Sequence, residues 1–196
     1  MSETQTLPAV DAGIDPALAA SIRLVILDVD GVLTDAGVYM GRTQSGESVE
    51  LKRFDIQDGI GVKLLQEAGL EVVIVSGRES EATTLRAAEL GLRCYQIPGA
   101  YKLPTVERML AERSLDWSQA AMLGDDLPDM AILKRVGLPA CVANATPEIL
   151  DVVAWRARAR GGQGAVREFA RALLMARGEW DDVVERYVSE REKSEP

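Results

Sequence analysis

The sequence contains no histidine, and this absence excludes several classes of enzyme. A chain without an imidazole has no Ser-His-Asp triad, no histidine nucleophile and no histidine ligand for a catalytic zinc ion. A bound metal would have to be held by oxygen atoms, which favours magnesium or calcium. There are only two cysteines, Cys94 and Cys141, and both lie in apolar segments. We interpret them as reduced core residues of a cytoplasmic protein and not as a disulfide.

Basic residues and long apolar runs are also scarce. The 22 lysines and arginines are outnumbered by 31 aspartates and glutamates, which gives a net charge of -9. This charge argues against nucleic acid or an anionic membrane as a partner, although a local basic pocket can still bind a small phosphorylated molecule. No apolar run reaches the length of a membrane span, and the first residues lack the apolar core of a secretory signal. We therefore expect a cytoplasmic protein that acts on a small molecule.

The order of apolar segments predicts the fold class. The 196 residues, 47% of them hydrophobic, suit one domain with a full core. Strand-like segments alternate with segments of helical spacing, which predicts an α/β fold of the Rossmann-like type, with three layers formed by a parallel sheet and helices on both of its faces. We expect strands near residues 23–29, 70–77, 93–97, 120–126 and 139–145, and helices near 58–68, 80–90, 103–113, 128–136, from 147 onward and up to about 178.

The domain organisation is expected to be simple. Residues 1–13 are interpreted as a flexible N-terminal arm, residues 14–178 as one domain, and residues 179–196 as a charged helix or tail. Within the domain, residues 36–53 are strand-like on both sides of a Gly/Ser turn, which predicts a small β-hairpin insertion. No insertion is large enough to form a separate cap domain.

The most informative motif is LVILDVDGVLTD, residues 24–35. A buried apolar strand ends in Asp28 and Asp30, which share one face because residues two apart in a strand point the same way. In open α/β sheets, ligands bind just beyond the carboxyl ends of the strands. Two carboxylates in one place repel each other unless a cation or shared chemistry accommodates them. The simple alternative is a strand followed by an ordinary Asp-Gly turn.

Other predicted strand ends carry residues that complete a phosphoryl-transfer site. Ser76-Gly77-Arg78 follows one strand, Lys102 follows the next, and Gly124-Asp125-Asp126 follows a third, with Asp129 one turn later. An aspartate that accepts a phosphoryl group needs a hard cation, a hydroxyl with backbone N–H groups, a lysine and a second carboxylate for proton transfer. Taken singly, these residues also suit a turn, a surface lysine and a helix cap; their joint order favours catalysis.

This order of motifs resembles the haloacid dehalogenase superfamily of phosphotransferases. The resemblance implies a HAD-like fold in which Asp28 is the nucleophile and Asp30 the acid/base, with Ser76 and Lys102 completing the catalytic set. It also implies Mg²⁺ bound by Asp28, by the backbone carbonyl of Asp30 and by Asp125, with support from Asp126 and Asp129.

More specific segments resemble one family within that superfamily. VYMG, LKRFDIQDGIGVK, SGR and GGQGAVRE are similar to segments of the 3-deoxy-D-manno-octulosonate 8-phosphate (KDO 8-phosphate) phosphatases. The resemblance implies hydrolysis of that sugar acid phosphate to KDO and phosphate, in lipopolysaccharide precursor synthesis, by a homotetramer whose hairpins form a central barrel and whose neighbouring chain closes each site. Carried over by position, it implies substrate contacts from Asp30, Asp55, Ile56, Gln57, Asp58, Gly59, Lys63, Gly77, Arg78, Arg86 and Lys102.

Several alternatives remain open at this stage. Relatives that act on nine-carbon (sialic-type) keto acid phosphates share most of these motifs, and Gln57 stands where a basic residue is common. Lys63 and Arg86 also suit solvated helix faces, and Arg167 suits either a contact with a neighbouring chain or a surface charge. The glycines of GGQG suit a mobile loop that closes over a pocket. A non-catalytic oligomeric partner of a sugar-nucleotide transferase is the alternative from another functional class.

Overall fold

The computed structural model of the protein describes residues 13–193. The predicted arm of residues 1–13 therefore lies outside the described residues except for Gly13. The strands are β1 (Leu24–Leu27), β2 (Tyr39–Arg42), β3 (Ser48–Leu51), β4 (Glu71–Ser76), β5 (Arg93–Gln96), β6 (Ala120–Gly124), β7 (Leu138–Cys141) and β8 (Trp155–Arg156). The helices are α1 (Pro16–Ser21), α2 (Ile56–Glu67), α3 (Glu81–Leu90), α4 (Lys102–Glu112), α5 (Met130–Leu133), α6 (Pro147–Leu150), α7 (Ala165–Ala176) and α8 (Trp180–Lys193).

Six strands form one parallel sheet in the order β5-β4-β1-β6-β7-β8. In the central strand β1, Leu24 is paired with Glu71 on one side and with Ala120 on the other. All four residues of β1 are buried, as a strand covered on both faces requires. Val25 and Leu27 belong to the core that includes residues of α2 and α7, whereas Leu24 and Ile26 belong to the core that includes residues of α4 and α5. The predicted three-layer α/β architecture is therefore confirmed.

Two sequence expectations differ from the structure. The sheet has a sixth strand, β8, which has only two residues and is therefore too short to show a period-two pattern. The helix expected near 128–136 is limited to the four residues of α5, after a tight 3-10 turn over Leu127–Asp129. Pro128 favours this tight turn because its ring fixes φ and it has no N–H to donate.

The predicted hairpin insertion is formed by β2 and β3, which pair antiparallel outside the main sheet. Its apolar side chains are largely uncovered within the chain, with exposed fractions of 63% for Tyr39, 78% for Met40 and 61% for Leu51. Within residues 13–193, the other segments between strands of the main sheet are single helices or short turns. This part of the chain therefore contains no large cap domain. None of the helices within residues 13–193 combines the length and apolarity of a bilayer span.

The charged C-terminal segment forms α8 as far as Lys193. It is anchored through Val183, which is fully buried in the core shared with α7. The indole of Trp180 also lies beneath two guanidinium groups, 5.2 Å from Arg167 and 5.5 Å from Arg171. These contacts fix the start of α8 against α7.

Candidate active site

The carboxyl ends of β1, β4 and β6 meet at a cavity of about 370 Å³. Because parallel strands end at the same edge of the sheet, the polar residues that follow them lie close together. The cavity is lined by Asp28, Asp30, Ala36, Gly77, Arg78, Ala100, Lys102, Asp125, Asp126, Pro128 and Asp129. The structure therefore brings together the acidic residues, the arginine and the lysine that the sequence placed at separate strand ends.

A buried lysine forms ion pairs with two of the aspartates. The Nζ atom of Lys102 lies 2.6 Å from Oδ1 of Asp28 and 2.7 Å from Oδ1 of Asp129, and only 2% of the lysine side chain is exposed. The other oxygen of Asp129 accepts a hydrogen bond of 3.1 Å from the backbone N–H of Asp125. Asp129 therefore uses both oxygens to hold Lys102 and Asp125, which suits the supporting role predicted for it.

Burial and mutual repulsion raise the pKa values of Asp28 and Asp125. Burial and the nearby Asp129 raise the pKa of Asp28 to about 7, although Lys102 partly opposes this shift. Burial, Asp28 and Asp129 raise the pKa of Asp125 to about 8. Carboxylate oxygens of Asp28, Asp125 and Asp129 lie within 4.8 Å of one another. This convergence fits a divalent cation with oxygen ligands, because such a cation removes the repulsion that disfavours ionisation.

The segment after Asp28 is shaped by Gly31 and Thr34. Gly31 has a φ of +101°, and a β-carbon on it would lie 2.0 Å from Oδ2 of Asp125. The buried hydroxyl of Thr34 accepts from the N–H of Gly31 at 3.3 Å and donates to the carbonyl oxygen of Val29 at 3.2 Å. Glycine is therefore required at position 31 both for the backbone conformation and for the close approach of Asp125.

The substitution Gly31→Ala is expected to displace the carboxylate of Asp125. We expect kcat/KM to fall by at least about 10²-fold and the apparent affinity for the divalent cation by about tenfold or more, since ligand geometry controls both. The matched control is Gly46→Ala, because Gly46 has a φ of +89° with no atom within 4 Å of an added β-carbon. Both variants carry backbone strain of about 1 kcal/mol, but only the first should lose activity; equal activities in the two variants would contradict this role.

The β4 end contributes Gly77 and Arg78 to the cavity, whereas Ser76 lies beneath it. The hydroxyl of Ser76, in a residue only 1% exposed, accepts from the N–H of Arg78 at 3.2 Å and donates to its carbonyl oxygen at 3.1 Å. A β-carbon on Gly77 would lie 2.9 Å from the β-carbon of Ala100. Ser76 thus shapes the turn that presents Gly77 and Arg78, and in this conformation its hydroxyl is engaged with that turn.

Asp30 is flanked by two cations, of which the sequence indicated only Arg78. Nη1 of Arg78 lies 3.6 Å from Oδ2 of Asp30, and Nζ of Lys52 lies 2.8 Å from Oδ1. Glu50 pairs with Arg78 at 2.9 Å. Sequence analysis overlooked Lys52 and Glu50, although residues 50 and 52 share one face in an extended chain and follow a hairpin next to the motif.

Seven residues predicted as substrate contacts lie outside the lining of this cavity. They are Asp55, Ile56, Gln57, Asp58, Gly59, Lys63 and Arg86. Asp55 precedes α2, Ile56 to Gly59 form its first turn, and Lys63 lies in its second half. Arg86 on α3 packs against the start of α2. Nη2 of Arg86 donates to the carbonyl oxygen of Asp55 at 2.8 Å, and its guanidinium lies 5.7 Å from the ring centroid of Phe54. Only 10% of the Arg86 side chain is exposed, so a solvated helix face does not describe it, and its contact with the substrate stays a prediction.

Asp58 is also buried away from the cavity. Its Oδ1 accepts from the N–H of Arg167 at 3.0 Å and its Oδ2 from the N–H of Gly164 at 3.3 Å. Asp58 therefore caps the N-terminus of α7 from a neighbouring helix. This contact joins FDIQDG to GGQGAVRE, and the substrate contact expected of Asp58 stays a prediction.

The protonation of Asp58 is expected to make stability depend on pH. Burial raises its pKa to about 6 from the usual 3.8, although the α7 N–H groups oppose this shift. Because the folded pKa exceeds the unfolded one, the contribution of Asp58 is fully present below about pH 4 and is lost as pH rises through about 6. Relative to Asp58→Asn, the wild type should lose up to about 3 kcal/mol of unfolding free energy between pH 4 and 7. Denaturant unfolding at several pH values measures this difference, and a difference independent of pH would contradict it.

The GGQG segment is packed tightly, which corrects the expectation of a mobile closing loop. A β-carbon on Gly161 would lie 1.7 Å from the carbonyl oxygen of Gly31, and the N–H of Gly162 donates to the carbonyl oxygen of Val32 at 3.0 Å. The amide of Asn144 joins the same two segments, donating to Gly31 at 3.1 Å and accepting from Gly161 at 2.7 Å. These glycines therefore permit close packing against the loop that follows Asp28.

Comparison with known proteins decides the family. Residues 97–160 match the haloacid dehalogenase-like hydrolase family. The chain is 39% identical over 166 residues to the 3-deoxy-D-manno-octulosonate 8-phosphate phosphatase KdsC of Escherichia coli (strain K12), and the alignment covers 85% of this chain and 86% of the relative. The chain belongs to this phosphatase family. The family predicted from LDVDGVLTD, FDIQDGIG and GGQGAVRE is confirmed.

Solved structures of KDO 8-phosphate phosphatases have the same fold. The enzyme from Yersinia pestis is 37% identical, with a TM-score of 0.79 over 87% of this chain and 95% of that chain. The enzyme from Moraxella catarrhalis is 31% identical, with a TM-score of 0.81 over 88% of this chain and 97% of that chain. The Moraxella structure is described as a complex with a magnesium ion, a phosphate ion and a KDO molecule. These similarities confirm the HAD-like fold of a phosphatase.

Proposed function

We propose that this phosphatase hydrolyses 3-deoxy-D-manno-octulosonate 8-phosphate to KDO and inorganic phosphate, with Mg²⁺ as cofactor. The observation that carries the proposal is the cluster in which Lys102 holds Asp28 and Asp129 next to Asp125 and Asp30. Identity of 39% to KdsC over most of the chain supports the substrate class. The role of the product in lipopolysaccharide precursor synthesis, in the cytoplasm, is part of the same proposal.

The proposed reaction has two steps. A carboxylate oxygen of Asp28 attacks phosphorus, the bond to the sugar oxygen breaks, and Asp30 gives its proton to that oxygen. Asp30 then takes a proton from a water molecule that attacks the aspartyl-phosphate, which releases phosphate and restores Asp28. Lys102 and the N–H groups of the Gly77-Arg78 turn stabilise the negative charge on the phosphoryl oxygens.

The metal would be held by Asp28, by the carbonyl oxygen of Asp30 and by Asp125, with Asp126 and Asp129 in supporting positions. When bound, Mg²⁺ supplies positive charge that offsets the repulsion between the carboxylates and the phosphate. The free cavity of about 370 Å³ is compatible with a sugar acid phosphate, and Arg78, with 47% of its side chain exposed, is placed to bind an anionic group of it.

A homotetramer is part of the proposal because the chain by itself leaves apolar surface near the cavity uncovered. Tyr39, Met40 and Leu51 of the hairpin, Ile56 at the start of α2 and Tyr101 before α4 all have more than 60% of their surface exposed. A neighbouring chain that covers these side chains would also exclude water from an otherwise open site. In that assembly, Gln57 and the other predicted residues at the start of α2, together with Lys63 further along the helix, would contribute to substrate binding from the rim.

The test is phosphate release from a panel of phosphorylated sugars and keto acids, with Mg²⁺ and with EDTA. We expect the highest kcat/KM for the eight-carbon 8-phosphate and complete loss of turnover in EDTA. A preference for a nine-carbon keto acid phosphate would change the substrate and keep the chemistry. Absence of turnover on the whole panel would reject the function and favour a non-catalytic partner of a sugar-nucleotide transferase.

A further inference from the structure

A lysine whose side chain is fully buried contacts the second aspartate of the motif. The side chain of Lys52 has 0% exposure, and its Nζ lies 2.8 Å from Oδ1 of Asp30, 3.4 Å from Oγ1 of Thr83 and 3.6 Å from Oε1 of Glu50. Burying an ammonium group is costly unless opposite charge compensates it. A charge at this position, facing the proposed acid/base, therefore calls for a function beyond filling space.

The surroundings of Lys52 leave Asp30 with two different oxygens. Oδ1 is buried, and none of residues 13–193 donates a well-aligned hydrogen bond to it. The ion pair with Lys52 therefore offsets the cost of burying this oxygen. Oδ2 lies 3.6 Å from the half-exposed Arg78, and both Asp30 and Arg78 line the cavity. A carboxylate held by one oxygen is restricted in rotation and presents the other oxygen in a fixed direction.

Glu50 keeps this arrangement in place from the hairpin. It pairs with Arg78 at 2.9 Å and lies 3.6 Å from Lys52, so it bridges the two cations on either side of Asp30. A hydrogen bond from Ser80 and the charges of Lys52 and Arg78 hold the pKa of Glu50 below its usual value, so it is ionised at neutral pH. Two acidic and two basic side chains thus form a ring of ion pairs, each contacting two of the others: Asp30, Lys52, Glu50 and Arg78.

We propose that Lys52 is a positioning residue that fixes Oδ1 of Asp30, so that Oδ2 is the oxygen that transfers the proton. The inference rests on the proposed function. In the first step, Oδ2–H of Asp30 protonates the sugar oxygen as the P–O bond breaks; in the second step, Oδ2 takes a proton from the attacking water. Without Lys52, the carboxylate of Asp30 can rotate away from this position, and proton transfer becomes slower.

The test compares two leaving groups in Lys52→Met. For both substrates, kcat/KM reports formation of the aspartyl-phosphate, but a p-nitrophenolate leaving group needs little protonation, whereas a sugar alkoxide needs it fully. We expect kcat/KM to fall at least about 30-fold for the sugar acid phosphate and less than about threefold for p-nitrophenyl phosphate. A purely structural role would lower both values in parallel, and that result would overturn the inference.

A double-variant cycle makes the test independent of folding effects. In an Asp30→Asn background, adding Lys52→Met should change kcat/KM for the sugar acid phosphate by less than about threefold, because Lys52 acts only through Asp30. A further loss as large as in the wild-type background would overturn the inference. Lys134→Met is the matched control, since Lys134 is exposed and lies outside the cavity lining.

A charge-conserving variant carries the test if Lys52→Met does not fold. Lys52→Arg keeps the partly buried carboxylates of Asp30 and Glu50 paired but displaces the charge. It should show the same selective loss, by about fivefold, for the sugar acid phosphate alone. Equal losses on both substrates would overturn the inference. If the wild type hydrolyses neither substrate, the proposed function fails; if it hydrolyses both and the variants lose both in parallel, only the role of Lys52 fails.

Discussion

Asp28→Asn is expected to lower kcat for the sugar acid phosphate by at least about 10⁴-fold, because an amide oxygen cannot form the aspartyl-phosphate. The substitution preserves the size of the side chain, so the contact with Lys102 can be retained through the amide oxygen. Any remaining activity would report positioning and electrostatic stabilisation without a nucleophile. Phosphate release under saturating substrate and Mg²⁺ measures the loss.

The loss in Asp28→Asn should not come from unfolding. Burial and Asp129 raise the pKa of Asp28 to about 7, so about half of this side chain is already neutral near pH 7 in the absence of metal. In EDTA, we therefore expect the free energy of unfolding of the variant to lie within about 1 kcal/mol of the wild type. A stable variant with activity close to the wild type would remove Asp28 from the mechanism.

Lys102→Met is expected to affect both stability and activity. Lys102 is 3% exposed and contacts Asp28 at 2.6 Å and Asp129 at 2.7 Å. These two carboxylates raise the pKa of Lys102 and outweigh the opposing effect of burial, so the charge is held firmly. Its removal leaves the buried side chains of Asp28 and Asp129 without a cationic partner, and we expect about 3–5 kcal/mol of destabilisation and a loss of kcat of at least about 10²-fold.

A double variant separates the two effects of Lys102. Adding Asp28→Asn to Lys102→Met neutralises one of the unpaired carboxylates, so about 1–2 kcal/mol of unfolding free energy should be recovered without recovery of activity. Denaturant unfolding in EDTA measures the first quantity. Additive destabilisation in the double variant would show that the buried charges do not interact as the distances indicate.

Much of the fold and part of the site could be predicted from local sequence. Asp28, Asp30 and Asp125 each follow an apolar strand, and parallel strands bring their carboxyl ends to one edge of the sheet. Lys102 does not directly follow an apolar strand, because it stands at the start of a helix. Its assignment to the site rested on the order of the motifs along the chain. Its burial between two aspartates could not be predicted from its neighbours in sequence.

The contacts that sequence analysis did not anticipate join residues that are distant in sequence. Asp58 caps a helix that begins more than 100 residues later, and nothing in FDIQDG distinguishes a cap from a substrate ligand. Arg86 is held by the carbonyl oxygen of Asp55, 31 residues earlier. Lys52 was overlooked because a lysine in a polar hairpin is typical of a solvated edge. The glycines of GGQG were assigned mobility, although close packing has the same sequence requirement.

The transfer of a phosphoryl group to Asp28 can be tested directly by chemical trapping. Wild-type enzyme is quenched during turnover of the sugar acid phosphate and reduced with borohydride, which converts an acyl-phosphate of aspartate into homoserine. Peptide mass spectrometry should then find homoserine at position 28, only in the presence of substrate and not in Asp28→Asn. A substrate-dependent modification at another residue, with position 28 unchanged, would contradict the account.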